Sequence, residues 1–262
     1  GSISTPGWGS LEKKVSERKK ETMLSYDIIT QIELGKFFPE KWNIRLPLYY
    51  GFSETRINPQ FNPYDPDIEL KNIYNSVEFS DAYKDSIRTS AQDFTRRKSI
   101  NFANVKKERG KGAKGGHFYD VENLALNLSY SEIFQHNYSV AHYLAKDYRG
   151  GITYNFNTQP KPWKPFEKKK LFKSKHRALI RDFNLNPYPS SFAVVMDLNR
   201  YYSERLLRDI TGEYLTIDTT FQKRFSILRT YDLRWDISKG LKFQYSASNS
   251  GQIREPDGKI DN

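Results

Sequence analysis

Gly110, Gly112 and Gly115 are the first residues that could do chemistry, because their spacing is the one with which a glycine-rich turn brings backbone amides to a dinucleotide pyrophosphate. That turn needs a strand before it and a helix after it. Here a basic stretch precedes, and the strand-like HFYDVENLAL follows, so a loop between strands is expected. The Lys-Ser/Thr ending of a phosphate-binding P-loop is also missing. His117, His136, His142 and His176 show no metal-ligand spacing, and no Gly-x-Ser-x-Gly elbow marks an activated serine. Asp65 and Asp67 sit beside prolines and read as turn residues. With no cysteine there is no disulfide framework, thiolate metal site or cysteine nucleophile. The chain is therefore expected to be neither an enzyme nor a cofactor carrier.

A second chemistry is anion binding. Between residues 158 and 185, Lys161, Lys164, Lys168, Lys169, Lys170, Lys173, Lys175, Arg177 and Arg181 are interleaved with Trp163, Phe166, Phe172 and Phe183. Cations and rings in this mixture suit phosphates and bases of a nucleic acid, or anionic headgroups at a membrane surface, or simply a solvated basic loop. The interfacial loop is the preferred reading, and no RNA-recognition or OB signature supports nucleic acid. The net charge of +11 is compatible with all three.

The elements that would position these groups are strands. Period-2 alternation places Tyr26, Ile28, Ile32 and Leu34 on one face, then Trp42, Ile44, Leu46, Leu48, Tyr50 and Phe52 opposite Asn43, Arg45 and Ser53. Leu124, Leu126, Leu128 and Tyr130 alternate with Asn123, Asn127 and Ser129, and Tyr148, Ile152, Tyr154 and Phe156 alternate with Arg149, Thr153, Asn155 and Asn157. Phe192, Val194, Met196 and Leu198 form another set, as do Phe225, Ile227, Tyr231, Leu233, Trp235 and Ile237, and then Leu241, Phe243, Tyr245 and Ala247. With a shorter stretch at Ile100 and Phe102, about eight strands are expected. Ser238-Lys239-Gly240 is expected to turn the last hairpin. Pro47 removes a ladder donor and marks an edge or bulge. Phe79, Tyr83, Ile87, Ala91 and Phe94 follow helical spacing, predicting a helical loop insertion over 71–97.

Alternation fits a half-solvated soluble sheet as well as a membrane barrel. The barrel is favoured by strands of about ten residues, by polar faces of Asn, Ser, Thr, Asp and Arg, and by rings at Phe37-Phe38, Trp42, Tyr49-Tyr50 and Tyr201-Tyr202, taken as strand ends. No apolar run approaches the ~18 residues of a spanning helix. On this reading Ile44, Leu46, Leu48, Leu124, Leu126, Leu128, Ile152, Tyr154, Val194, Met196, Leu198, Leu233, Trp235, Phe243 and Tyr245 face lipid. Arg45, Asn127, Arg149, Asn155, Asp197, Asn199, Asp232, Arg234 and Asp236 face the lumen. Arg45, Arg149, Arg200 and Arg234 either give the lumen a positive potential or pair across strands with Asp197, Asp232 and Asp236, and pairing is preferred. The fold class is thus all-β, an antiparallel transmembrane β-barrel segment. The start GSISTPGW carries no secretory signal pattern, so an internal segment of a larger barrel is expected.

Long composite phrases carry a family resemblance: GKFFPEKWNIRLPLYYGFSE, NPQFNPYDPDIEL, DFTRRKSINFANVKKE, HFYDVENLALNLSYSE, YRGGITYNFN, IRDFNLNPYPSSFAVVMDLNRYYSERLLR and RTYDLRWDISKGLKFQYSASNSGQIREPDG. In these the chain resembles the SprA/Sov family, the outer-membrane translocons of type IX secretion and gliding motility in Bacteroidota. The resemblance implies residues 1–262 as one segment of a very large barrel in the outer membrane of a Gram-negative bacterium, with no cofactor. It implies partners as well: folded cargo proteins with a C-terminal signal, a smaller barrel shuttle protein, a periplasmic plug protein and the lipid bilayer, with no nucleic acid. Two alternatives stand beside it, a soluble basic β-rich nucleic-acid-binding module and another large outer-membrane transporter barrel.

Overall fold

The computed structural model describes residues 1–4, 20–110, 116–158, 161–166, 183–210 and 216–259. Its strands are β1 (Ser2–Ser4), β2 (Glu21–Glu33), β3 (Ile44–Arg45), β4 (Pro47–Pro59), β5 (Phe61–Asn62), β6 (Asp65–Glu69), β7 (Asp93–Lys107), β8 (Leu124–His136), β9 (Val140–Asn157), β10 (Ser191–Leu207), β11 (Thr220–Trp235) and β12 (Phe243–Ile253). Two helices, α1 (Leu70–Asn75) and α2 (Asp81–Ala91), lie between β6 and β7. One ten-stranded sheet runs β1-β2-β4-β7-β8-β9-β10-β11-β12, with β3 beside β7 and every pairing antiparallel. The all-β antiparallel class is therefore observed. The sheet is open, with β1 at one edge and β12 at the other.

The eight longest strands correspond one to one with the alternating stretches, but they run 11 to 18 residues. They continue well past the ring pairs: Tyr49-Tyr50 and Tyr201-Tyr202 lie inside β4 and β10 rather than at their ends. The expected strand from Trp42 to Phe52 is broken. Trp42 closes a 3-10 turn, Asn43 takes a left-handed φ of 47°, and Leu46 falls between β3 and β4. Pro47 opens β4, where a missing N–H is tolerated. Leu34 lies in a 3-10 turn beyond β2, and Ile237 and Leu241 lie in the β11–β12 connection, which spans 236–242 and closes on Ser238 N–H to the Leu241 carbonyl.

The insertion differs at its end, because Asp93–Arg97 already belong to β7. Ser80 caps α2 by accepting from the Tyr83 amide. Leu70, Ile73 and Ala91 form the small core there, with Tyr74 and Ile87 against it. No described side chain of the sheet is fully buried.

Candidate functional site

Directly opposed residues of antiparallel strands share a face, so the register sorts the sheet into rows. On one face Leu48, Phe102, Leu128, Gly150, Leu198 and Ile227 form a row. The next rows toward the β11–β12 connection hold Leu126, Ile152 and Met196, then Leu124, Tyr154, Val194 and Tyr231, then Phe156, Phe192, Leu233 and Tyr245. Trp235 and Phe243 close this series. These apolar side chains are open: Leu128 is 51% exposed and Ile152 is 40% exposed.

Aromatic rows bound the band on both sides. Tyr50, Tyr130, Tyr148 and Phe225 lie along one margin with Ile100 and Arg200. At the other, Phe118 meets Tyr154 and Phe156 edge-on, at 5.5 and 5.8 Å, and lies 6.0 Å from Phe192. Phe118 is held in place by Asn123, which is 8% exposed. Its amide donates to the His117 and Phe118 carbonyls and its oxygen accepts from Arg109, while the Tyr154 hydroxyl also donates to the Phe118 carbonyl. Lys107 ion-pairs with Glu122 at 2.8 Å in the same loop and holds its carboxyl below the usual range.

Beyond the first aromatic row the same face changes character. Lys98, Glu132 and Lys146 are followed by Glu54, Arg96, Phe134 and Glu204, and then by Arg56, Phe94 and His136. Several of these groups pair with one another, while Arg96 Nε and His136 Nδ1 are buried with no hydrogen-bond partner among the described residues. Arg56 pairs with Glu54 and covers the Phe94 ring at 5.5 Å, and Arg96 covers Phe134 at 5.4 Å. His142 Nε2 lies 2.7 Å from Glu204, which also accepts from the Tyr202 hydroxyl at 2.8 Å. Sequence reasoning missed this extension, although the i,i+2 pairs Glu54/Arg56, Arg96/Lys98 and Tyr202/Glu204 were a usable signal.

The opposite face is mostly polar, with Ile133, Val195 and Leu228 set among its polar side chains. Asn127, Arg149, Asn155, Asp197, Asn199, Asp232 and Arg234 all fall on it by register. Gly151 lies among them, and a Cβ there would approach Asp197 Oδ1 to 3.2 Å. Asp236 lies beyond the end of β11, and Arg45 is on the short β3. The expected cross-strand Arg–Asp pairs are not formed. Arg149 pairs with Asp147 at 2.8 Å and Arg234 with Asp236 at 3.6 Å, each two residues along its own chain segment, because i,i+2 neighbours also share a face. Arg45 lies 3.9 Å from Glu108. Arg200 is on the apolar face, not the polar one, where it bonds Glu255 and lies 5.8 Å from the Tyr148 ring centre.

Of the apolar set named from sequence, Leu48, Leu124, Leu126, Leu128, Ile152, Tyr154, Val194, Met196, Leu198, Leu233, Trp235, Phe243 and Tyr245 share the one face. Ile44 stands opposite Lys107 on β3, and Leu46 lies in the break that follows. In the basic loop Trp163 bridges to Leu185 and Phe166 meets Phe183. Lys168, Lys169, Lys170, Phe172, Lys173, Lys175, His176, Arg177 and Arg181 lie outside the described residues, as do Gly112 and Gly115. Among the described residues no three His, Asp or Glu side chains gather as a metal site would require, and no helix is long and apolar enough to cross a membrane.

Residues 1–73 match the SprA N-terminal family, described as a motility related/secretion protein. The match supports an SprA-like identity for the chain and relates it to motility and secretion, and a fragment of a longer protein is compatible with it. No curated protein matches the chain.

Proposed function

We propose that the sheet is part of the wall of a large outer-membrane β-barrel that conducts folded proteins in type IX secretion and gliding motility. The observation that carries this reading is the open apolar band between two aromatic rows on a single-layer antiparallel sheet. On β9, Tyr148 and Tyr154–Phe156 are six to eight residues apart, roughly 20–27 Å along the strand, which a barrel tilt reduces toward the height of an outer-membrane apolar belt. Backbone crossing a bilayer must be fully paired, so strands beyond β1 and β12 would complete the ring.

On this proposal the apolar face meets lipid and the polar face lines the lumen. The mechanism is geometric rather than enzymatic: a wide wall of Asn, Ser, Asp and paired Arg offers cargo hydrogen-bonding water without an adhesive apolar surface. Cargo with a C-terminal signal, a smaller barrel shuttle and a periplasmic plug are the proposed partners, in the outer membrane of a Gram-negative bacterium. The match of residues 1–73 to a secretion family supports this reading.

The test is partitioning of the full-length parent protein between detergent and aqueous phases, followed by electrophoresis with and without boiling. A closed membrane barrel enters detergent and changes mobility on heating. A water-soluble protein indifferent to heating would overturn the proposal.

A further inference from the structure

The segment from β5 to α2 is tied to the sheet at the turn between β8 and β9, and one titratable ring sits in that contact. The turn is firmly built. Asn137 Oδ1 accepts from the Ser139 and Val140 amides at 3.0 and 2.8 Å, and Arg208 Nε–H donates to the Asn137 carbonyl at 3.1 Å. From the segment, the Tyr64 hydroxyl donates to the Tyr138 carbonyl at 3.0 Å. His136, the last residue of β8, hydrogen-bonds the backbone of Thr89 in the last turn of α2. Its ring stacks on Phe94 at 5.1 Å, with Phe134 edge-on at 5.9 Å. His136 Nδ1 is buried and has no hydrogen-bond partner among the described residues. The bond to the Thr89 carbonyl therefore comes from Nε2–H, which leaves a lone pair on Nδ1 of the neutral ring. A proton on Nδ1 would instead make a buried cation whose new N–H has no acceptor.

We infer that neutral His136 latches the β5–α2 segment to the β8–β9 turn, and that a proton on its Nδ1 releases the segment. The surrounding charges do not offset that proton. Asp93 at the start of β7 favours it, and Arg208 opposes it. Arg96 of β7 and Arg56 of β4 are further cations, over Phe134 and Phe94, while Arg88 of α2 is turned to Asp85 and Tyr74. Across the Phe134 ring, His142 of β9 has Glu204 of β10 at 2.7 Å, so a charge on that second imidazole is matched. Since Nδ1 is sealed where it lies, no segment from elsewhere reaches it while the latch is closed. Burial first, then Arg208, push the His136 imidazole below its ordinary value. A depressed group contributes stability that is full above its unfolded value and is lost as pH falls through the folded one. The latch is thus closed at neutral pH and loosens on the acid side of about pH 6.5. His136 lies six residues beyond Tyr130, outside the apolar band, so the inference does not depend on the membrane placement.

Amide hydrogen exchange of the full-length parent protein, read by mass spectrometry at about pH 7.5 and about pH 5 and corrected for intrinsic rates, titrates histidines while ordinary carboxylates stay largely ionised. Amides of α2 should exchange several-fold faster at the lower pH, and those of β9 around Ile152 should not change. His136→Gln still offers an amide donor to Thr89 but takes no proton, so it should abolish the acceleration. His142→Gln should leave it, and Arg208→Gln, which removes the like charge, should shrink it. Exchange in α2 that is indifferent to pH would overturn the inference, as would an acceleration shared equally by β9 or one that persists in His136→Gln. Loss of the acceleration in His142→Gln would overturn it too, by moving the switch to the His142–Glu204 pair. Should His136→Gln fail to assemble, Arg208→Gln decides: an undiminished acceleration there would sink the buried-charge latch.

Discussion

The two halves of the apolar-side face of this sheet invert the usual relation between polarity and burial. In the band from Leu124 to Leu128 the side chains are apolar yet open to their surroundings. In the extension past Tyr130 they are charged or aromatic yet shielded, with Glu54 5% and Glu204 9% exposed. Polar groups can be buried cheaply where each finds a partner, as Glu204 does in His142 and Tyr202. Apolar groups left open in water over so wide a surface are disfavoured at about 25 cal/mol per Å². On the membrane placement proposed above, the open half would have an apolar solvent and the paired half water, with the boundary at the Tyr130–Tyr148 row.

The sharpest way to break that comparison is to put a charge in the open half. In the intact parent protein, Leu126→Arg should cost about 2–4 kcal/mol if Leu126 faces the middle of a bilayer. The same substitution on the polar face, Ser131→Arg, should be near neutral. Denaturant unfolding in lipid vesicles reads both, and equal small costs would place water on both faces.

The paired half should respond to deletion instead. Glu204→Ala leaves the His142 ring and the Tyr202 hydroxyl without their shared partner, at an expected cost of about 1–3 kcal/mol in the same unfolding measurement. Leu128→Ala, removing a side chain that is already half open, should cost less than Glu204→Ala. A larger cost for Leu128→Ala would mean that the band is packed against protein over its whole length.

The same division explains what could be read from sequence. Eight strands were legible because leucine, isoleucine and tyrosine recur at every second position, as in Leu124–Tyr130. Their far ends were not, because past the aromatic row the face continues in Glu132, Lys146 and Glu204, which carry no hydropathy contrast with the opposite face. The break at Trp42–Leu46 was signalled by Pro47 alone, since asparagine and proline, the residues that make it, act through φ and a missing donor rather than through hydropathy. Arg149 and Arg234 were correctly set among acidic partners in kind, but alternation does not decide between a neighbour across the ladder and one two residues along it.

The smallest expected effect tests the other margin of the band, where Phe118 folds over Tyr154 and Phe192. The Lys107 ammonium, hydrogen-bonded to Glu122, lowers that carboxyl relative to an unfolded chain. A depressed carboxyl contributes stability that is present above its unfolded value and is lost as pH falls through the folded one. The loop over 116–123 should therefore loosen only on the acid side of the ordinary glutamate range, at about pH 4 and below. Because the pair is solvent-screened, the loosening should be modest and weaker at high salt. Amide hydrogen exchange at Phe118 to Asn123, corrected for intrinsic rates, should accelerate between about pH 6 and about pH 3 in the native chain and lose this excess in Lys107→Ala. An acceleration that survives Lys107→Ala would show that the Lys107–Glu122 pair is not what holds this loop.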